Sequence, residues 1–487
     1  MTQPRDPARL ELDPETLRAF AHRIVDYLVD HNLALAKRPV IGLKDRAELE
    51  RLLREPAPHG PSDPDSALDR LLTDVIPYNI LPNHPRQFAW IPNPSNVVSA
   101  LADALAAGLS LCPALWLEAS GTTVLELVTV DWLRAMCGLP EGAGGLFVSG
   151  GTAANLTALA VARNIKLADD MTGARIYCSD QTHRSNQKCL RVMGFAPEQV
   201  VVLESDERQR LVPLALARAI AADRQAGRRP FCVIANAGTT STGAVDPLDA
   251  LARLCRTEDL WLHVDGAYGA AAALSPRGRE RLQGLDEADS VTIDPHKWLF
   301  QPIEHGCVLV RDFDWLRQTF ADRQDYLRDT QKGEDSRGPI NPGDYGLQLT
   351  RASRAIKLWL SVQVFGLDAF AAAIERGFEN AERLESLLRR SGVFEITTPA
   401  EFAIVTFRYR GRLPEARLEA ANEAIVRRVI EEGSLMISST RLKDRTVLRA
   451  CTINPRTSEA DLEHAAALLG RIGAEVERDC AMHGAAR

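Results

Sequence analysis

From about residue 97, the chain alternates between short apolar or β-branched runs and longer stretches with helical periodicity. Six of these short runs lie at 145–148, 175–178, 231–235, 260–264, 290–293 and 306–310. Strands that are separated by helices pair most readily in parallel, because each helix carries the chain back along the sheet. The alternation therefore predicts an α/β fold with a mostly parallel sheet over residues 97–365.

A helical arm is predicted over residues 1–96. Asp13 and Pro14 are typical of a helix N-cap and a first helical position, and apolar residues recur on one face from there to Leu28. A segment rich in proline and glycine, 55–61, then breaks the pattern, and a second short helix follows. Such a thin element can hardly bury its own apolar stripe, so we expect it to pack on the main body or to stabilise a homodimer.

Residues 366–487 are predicted to form a smaller α+β domain. Helical patterns and strand-like runs alternate here at 367–390, 402–409, 415–432, 446–453 and from Ser458 onward. The arm, the large domain and this small domain agree with the roughly three structural units that a chain of 487 residues suggests.

The composition excludes several classes of protein. The formal charge is −7, from 58 basic and 65 acidic residues, and 45% of the residues are hydrophobic. These values are ordinary for a globular protein, so they argue against disorder and against a nucleic-acid binder with a basic surplus. Nine scattered cysteines without a C-x-x-C pair are typical of reduced thiols, and the N-terminus resembles no signal peptide. We therefore expect a cytoplasmic protein.

One stretch, 96–117, is rich in alanine and leucine and about long enough to cross a bilayer. Asp103 lies inside it and Pro113 ends its pattern, and a charge at mid-membrane depth is costly. We therefore expect a buried or subunit-interface helix here, with no membrane association, and we expect no bound metal.

Polar residues follow several of the predicted strands, where open α/β sheets bind their ligands. After the first strand, Ser149-Gly150-Gly151-Thr152 leads into a helix, and glycines, hydroxyls and the first helical N–H groups suit a phosphate. Taken alone, the segment is equally compatible with a plain strand–helix turn. It is neither a Walker A loop nor a full G-x-G-x-x-G motif.

Three further segments carry ionisable residues. Asp265 ends an apolar strand, Lys297 follows another strand among aromatic and apolar residues, and His183 follows the strand at 175–178. Each alone has an ordinary interpretation, as a helix cap, a solvated lysine or a structural histidine. Together with the phosphate cradle, they are what pyridoxal 5′-phosphate (PLP) requires: a covalent anchor, a partner for the pyridine nitrogen and a stacking face.

On these residues, the sequence resembles the group II PLP-dependent amino-acid decarboxylases, which include aromatic-L-amino-acid, tyrosine, histidine and glutamate decarboxylases. The most specific piece is Asp294-Pro295-His296-Lys297-Trp298, and the interval from Asp265 to Lys297 needs no gap against the aromatic decarboxylases. The resemblance implies the PLP-dependent transferase fold type I, which is aspartate-aminotransferase-like and has a seven-stranded sheet. It also implies a homodimer with its active site at the subunit interface.

The resemblance implies roles for individual residues. Lys297 corresponds to the lysine that binds the cofactor covalently, and Asp265 to the acid that pairs with the pyridine nitrogen. Ala267 corresponds to the small residue under the ring. His183 corresponds to the histidine on the other ring face, a candidate for orienting the substrate carboxylate or relaying a proton. The remaining implied cofactor contacts are Gly151, Thr152, Thr240 and His296.

Two residues bear on the type of reaction. Tyr326 lies in 321–330, which resembles the catalytic loop of the family, where a tyrosine is thought to protonate the substrate carbon after CO₂ loss. Relatives that form aldehydes often carry phenylalanine there, and some replace the histidine at the position of His183 by asparagine. Both residues therefore favour simple decarboxylation of an L-amino acid to the corresponding amine.

The substrate pocket of the family lies near two mainly apolar segments, 90–93 and 112–116. Apolar surroundings suit an aromatic side chain better than glutamate, whose carboxylate would need a buried cation. Ala114 is smaller than its counterparts in aromatic decarboxylases, which favours room for an indole. We expect tryptophan, phenylalanine or tyrosine as substrate. The expected substrate-binding residues are Trp90, Pro92, Asn93, Cys112 and Ala114.

Several functions besides this one are compatible with the sequence. An aldehyde synthase would consume O₂ and release H₂O₂ and ammonia, and a transaminase would convert the cofactor to its amine form. Decarboxylation of glutamate or diaminobutyrate is also compatible with it. Outside the enzymes, the chain could be a degenerate, non-catalytic binding subunit, and the presence of Lys297, Asp265, His183 and Tyr326 argues against that function.

Overall fold

The computed structural model describes residues 10–321 and 338–484. Within these residues, the larger sheet has seven strands: β1 (Gly144–Val148), β2 (Ala174–Ser179), β3 (Val200–Leu203), β4 (Arg229–Asn236), β5 (Trp261–Asp265), β6 (Ser290–Ile293) and β7 (Gly306–Val310). Their order is β1-β7-β6-β5-β4-β2-β3. The five strands from β6 to β3 are parallel, whereas β7 is antiparallel to both of its neighbours. The predicted α/β fold with a mostly parallel, seven-stranded sheet is confirmed.

Fifteen α-helices lie in the described residues. They are α1 (Pro14–Ala34), α2 (Arg46–Leu53), α3 (Pro64–Asp74), α4 (Val97–Gly108), α5 (Trp116–Met136), α6 (Gly151–Leu167), α7 (Arg184–Val192), α8 (Pro213–Gln225), α9 (Leu248–Thr257), α10 (Pro276–Arg281), α11 (Asp314–Phe320), α12 (Ala355–Phe365), α13 (Leu367–Arg390), α14 (Glu415–Glu432) and α15 (Glu459–Gly484).

The helices cover both faces of the large sheet, which explains why its central strands are continuous apolar runs. Val233 of β4 packs into one core with α5, α8 and α9. Its neighbour Ile234 points to the opposite face and packs into a second core with α6, α7 and α11. Strands β2, β5, β6 and β7 are buried along their whole length.

The smaller α+β unit has a four-stranded antiparallel sheet in the order β10-β11-β9-β8. Its strands are β8 (Phe394–Glu401), β9 (Ile404–Tyr409), β10 (Ser438–Leu442) and β11 (Arg445–Cys451). Helices α13, α14 and α15 pack on this sheet through a shared hydrophobic core, to which they contribute Leu384, Ile425 and Leu469 respectively. The predicted α+β character of the C-terminal part is therefore confirmed.

No single helix within residues 10–321 and 338–484 is both long and apolar enough to span a membrane. Helices α12 and α13 meet the length and composition requirement only as a pair, and they are bent by 93° relative to each other. Gly366 separates them with a φ of +76°, a left-handed conformation that glycine adopts without steric cost.

Candidate active site

A cavity of about 360 Å³ lies at the carboxyl edge of the large sheet, the edge where α/β sheets bind ligands. It is lined by residues that follow β1, β4, β5 and β6 and by the first turn of α6. Strands β1 and β6 both run antiparallel to β7, so their carboxyl ends meet at this edge. All the residues predicted to contact a cofactor line this cavity: Gly151, Thr152, His183, Thr240, Asp265, Ala267, His296 and Lys297.

Lys297 lies in a tight turn after β6. The turn is held by a backbone hydrogen bond from Lys297 N to Asp294 O, and Asp294 N donates to Ala267 O, each at 2.9 Å. Lys297 Nζ is 2.9 Å from Asp294 Oδ2. Burial opposes the ammonium charge, but the ion pair with Asp294 outweighs it and raises the pKa of Lys297 above its usual value. Asp294 was not among the predicted site residues, although it is the first residue of the motif that contains Lys297.

Asp265 is buried at the end of β5 and accepts three hydrogen bonds. Asn155 Nδ2 and Asn186 Nδ2 donate to its Oδ2 at 3.0 Å and 2.6 Å, and Ala267 N donates to its Oδ1 at 3.2 Å. Burial opposes the carboxylate charge, but the ammonium group of Lys297 and the hydrogen bond from the Asn186 amide hold the pKa of Asp265 below its usual value. The site therefore presents an ionised acid to the cavity.

A buried network lies behind Asp265. Asn155 Oδ1 accepts from Thr292 Oγ1 at 2.6 Å and lies 3.1 Å from His263 Nε2. His263 Nδ1 is 2.8 Å from Ser290 Oγ, which itself accepts from an indole N–H. Burial lowers the pKa of His263 to about 4. A neutral imidazole with its proton on Nε2 satisfies every one of these contacts.

His183 is the N-cap of α7 and is held as a neutral ring. Its Nδ1 accepts from Ser185 N at 3.3 Å and is 2.7 Å from Ser185 Oγ. Burial lowers the pKa of His183, and the charge of Asp265 offsets only part of this effect. Because Nδ1 acts as the acceptor, the proton of the neutral ring lies on Nε2.

The turn at the start of α6 has the properties of a phosphate site. Gly150 precedes the helix without a side-chain cap, so the first N–H groups of α6 remain available to an anion. The hydroxyls of Ser149 and Thr152 line the cavity beside them. The turn is tightly packed, since a Cβ added to Gly306 would lie 2.5 Å from the Cα of Gly150. Lysine, acid, histidine and anion site together fit PLP.

The residues predicted to bind the substrate do not line this cavity of the single chain. Trp90 is 55% exposed, and its backbone oxygen accepts from Arg449 Nη1 at 2.7 Å. Arg449 Nε also donates to Ser241 O at 3.3 Å, which places Trp90 near the cavity rim formed by Thr240. The cavity lining also lacks the other four predicted substrate-binding residues, which are Pro92, Asn93, Cys112 and Ala114.

Tyr326 lies outside the described residues. Within them, no group of three or more His, Cys, Asp or Glu side chains is placed to bind a metal ion.

The fold and this cavity define a PLP-dependent enzyme of the aspartate-aminotransferase-like class. Residues 48–410 match the family model described as the pyridoxal-dependent decarboxylase conserved domain. The chain therefore belongs to the pyridoxal-dependent decarboxylase family, and it is an amino-acid decarboxylase with PLP as its cofactor.

Characterised relatives cover nearly the whole chain. The chain is 44% identical to an aromatic-L-amino-acid decarboxylase of Bacillus atrophaeus over 93% of its own length and 94% of the relative. It is 31% identical to a phenylacetaldehyde synthase of Arabidopsis thaliana, over 93% and 95% of the two chains. The crystal structure of Oryza sativa TDC with PLP and tryptamine superposes with a TM-score of 0.89 at 27% identity, covering 98% of this chain and 99% of that one.

Proposed function

We propose that the enzyme removes the carboxylate of an aromatic L-amino acid, tryptophan, phenylalanine or tyrosine, and releases the amine and CO₂. The observation that carries this proposal is that Lys297, Asp265, His183 and the glycine turn at Gly151 meet in one cavity. The aromatic preference is supported by the relatives, which include an aromatic-L-amino-acid decarboxylase and a structure solved with tryptamine.

The proposal gives a chemical role to Asp265, to Lys297 and to the glycine turn of the cavity. When bound, PLP supplies an electron sink for the pair left behind as CO₂ departs. Asp265 keeps a proton on the pyridine nitrogen, because an ionised carboxylate in a buried site stabilises the positive charge opposite it. Lys297 would be the residue that holds the cofactor covalently through its amine until a substrate amine replaces it. The turn at Gly151 and Thr152 holds the phosphate.

The neutral imidazole of His183 is proposed to cover one face of the ring, with Ala267 as the small residue on the other face. The Nε2 proton of His183 can donate to a carboxylate, which suits orientation of the group that leaves. Thr240 and His296 line the same cavity and complete the set of proposed cofactor contacts. Tyr326 is proposed as the acid that returns a proton to the substrate carbon.

An aldehyde synthase is the second candidate, because one of the relatives is a phenylacetaldehyde synthase. His183 and Tyr326 favour the decarboxylase, since aldehyde-forming relatives often differ at one of these positions. The two reactions differ in their products, because only the synthase consumes O₂ and releases peroxide and ammonia.

The test is a panel of L-amino acids, with glutamate and diaminobutyrate included, assayed together for CO₂, amine and peroxide. We expect CO₂ and amine in equal amounts from tryptophan, phenylalanine or tyrosine, without peroxide. Lys297→Ala should abolish turnover and the absorbance band at about 420 nm. Lys166→Ala is the matched control, because Lys166 pairs with Asp259 and does not line the cavity. Release of CO₂ from glutamate or diaminobutyrate alone would refute the aromatic assignment.

We also propose a cytoplasmic homodimer in which residues 90–93 and 112–116 of one subunit reach the substrate site of the other. Exposed apolar side chains in the single chain support a subunit interface, because α1 has no buried residue and Leu101, Leu105 and Leu109 are exposed in or next to α4.

The proposed structural units are an arm to residue 96, a PLP-binding domain at 97–365 and a small domain at 366–487. The sharp bend between α12 and α13 supports the last boundary.

A further inference from the structure

Asp294 lies between Lys297 and the glycine turn at the start of α6. Its Oδ2 is 2.9 Å from Lys297 Nζ. A Cβ added to Gly151 would be 2.7 Å from the same oxygen, so the carboxylate lies directly against that turn. The side chain is 2% exposed, and its Oδ1 has no hydrogen-bond partner among the described residues. A buried acid therefore borders both the amine and the anion site.

The other ionisable groups of the cavity cannot replace Lys297 as the partner of this acid. His296 Nε2 is 3.7 Å from Asp294 Oδ2, and burial lowers the pKa of His296, which favours its neutral form. His183 is also held neutral. Asp265 and Glu304 carry the same charge as Asp294. Lys297 is thus the one cation in the described lining of the cavity.

This pairing has a chemical consequence for Lys297. An amine attacks a carbonyl carbon only when it is neutral, because an ammonium ion has no free electron pair. The pair with Asp294 works against this requirement, since it outweighs the effect of burial and raises the pKa of Lys297. A phosphate in the glycine turn would bring negative charge close to the Asp294 carboxylate and would repel it.

We propose that Asp294 is a positioning residue that holds Lys297 as an ammonium ion in the cofactor-free enzyme and accepts its proton when an aldehyde enters. The proton moves from Nζ to Oδ2 across their 2.9 Å contact, and the free electron pair of Nζ forms a bond to the aldehyde carbon. The two hydrogens left on the nitrogen depart with the carbonyl oxygen as water, and that oxygen keeps the electrons of its broken bonds to carbon. The inference rests on the proposed role of Lys297.

The test uses the full chain freed of cofactor and pyridoxal as the probe. Pyridoxal has the aldehyde but no phosphate, so repulsion at the glycine turn plays no part. Short exposures from about pH 7 to about pH 12 are stopped with borohydride, because the pKa of Lys297 lies above its usual value. Peptide mass mapping measures modification at Lys297, and the pH midpoint is the pH at which the rate of modification is half of its maximum. Asp294→Asn should lower the pH midpoint by about one unit or more, which makes modification near neutral pH about tenfold faster.

Two further variants serve as controls. Glu304→Gln removes another carboxylate from the same cavity lining, but Glu304 is 70% exposed and its partner is Arg354 at 3.6 Å. Its midpoint should stay within about 0.3 units of the wild type. Asp294→Glu keeps the charge and should retain a high midpoint, and comparison with it remains informative if the asparagine variant folds poorly.

Any one of three results overturns the role of Asp294. They are an unshifted midpoint in Asp294→Asn, an equal shift in Glu304→Gln, and a midpoint for Asp294→Glu as low as that of Asp294→Asn. Modification of the wild type that maps to lysines other than Lys297 refutes instead the proposed function of that lysine. The mass map therefore separates failure of this inference from failure of the proposed function.

Discussion

The side-chain amide of Asn155 donates a 3.0 Å hydrogen bond to Asp265 Oδ2, although the two residues are 110 positions apart in the chain. The oxygen of the same amide, Asn155 Oδ1, lies 3.1 Å from His263 Nε2. One side chain thus joins the acid of the cavity to a buried neutral imidazole. Because a buried carboxylate is costly without donors, Asn155 helps Asp265 to stay ionised.

We predict that Asn155→Ala weakens PLP binding more than it weakens the fold. Losing one donor to a buried carboxylate costs about 1–3 kcal/mol, and if that cost falls on cofactor binding, PLP affinity drops about fivefold to about 150-fold. Titration of the cofactor-free enzyme with PLP, followed by absorbance, measures this affinity. Asn164→Ala is the control, because Asn164 lies on the same helix and contacts Asp169 instead. Equal affinities in the two variants would contradict the prediction.

We predict that His263 makes stability depend on pH. The folded chain binds a proton at His263 only near pH 4, whereas the unfolded chain binds it below about pH 6.5. The unfolded state therefore holds the extra proton between these values, and stability is lost as the pH falls through this window. From about pH 7 to about pH 5, the loss from this residue is about 2 kcal/mol.

Denaturant unfolding of the PLP-saturated enzyme at those two pH values measures this effect. His263→Gln should lose about 2 kcal/mol less than the wild type over the same range, because glutamine takes up no proton. The other histidines contribute equally to both proteins and cancel in the comparison. An identical loss in both proteins would show that His263 is not the group that titrates.

The sequence predicted the central strands of both sheets but not three of the edge strands. Strands β3, β8 and β10 each have one neighbour, and their side chains are partly exposed. Half-exposed strands need no continuous apolar run, and Ser438–Leu442 is mostly polar. Strand β3 is apolar but only 4 residues long, too short to stand out by pattern. The strands that could be recognised from the sequence are thus those buried on both faces, because their residues form continuous apolar runs.

The proposed cofactor-binding residues could be singled out in the sequence because ligands gather where parallel strands end. Asp265 and Lys297 could be found as unusual residues after apolar strands. Asn155 and Asn186 could not, because an asparagine in a helix has no distinctive pattern until the fold brings it to Asp265. The placement of the predicted substrate residues also depends on tertiary contacts that no local pattern encodes.

We predict that Arg351→Ala strongly destabilises the enzyme. Arg351 forms two hydrogen bonds to the buried carboxylate of Glu126, at 2.7 Å and 2.6 Å, and donates to Phe147 O at 2.6 Å. Removing the guanidinium leaves an unpaired buried charge, which costs about 3–5 kcal/mol. Arg389→Ala removes an exposed partner of Glu385 and should cost at most about 1 kcal/mol. Denaturant unfolding compares the two, and similar losses would contradict the prediction.

We predict that Gly306→Ala damages the glycine turn at the start of α6. The added Cβ would lie 2.5 Å from the Cα of Gly150, so the backbone of one strand end must move. Such overpacking costs about 1–3 kcal/mol and displaces the first N–H groups of α6. PLP affinity and stability should fall together. Gly142→Ala is the control, because no atom lies within 4 Å of its added Cβ. Unchanged PLP affinity in Gly306→Ala would argue against a phosphate site at this turn.

The last prediction concerns the exposed apolar face of α4. Leu101 and Leu105 are 37% and 52% exposed and lie one turn apart, while Ala102 and Ala106, about 100° further around the helix axis, are buried. A homodimer would cover this face, and a charge placed in a buried apolar interface is left without a partner. The double variant Leu101→Asp, Leu105→Asp should therefore shift the enzyme from dimer to monomer in sedimentation. Leu214→Asp changes another exposed leucine, 62% exposed on α8, and should leave the oligomeric state unchanged. If the double variant also remains dimeric, the face of α4 does not form the subunit interface.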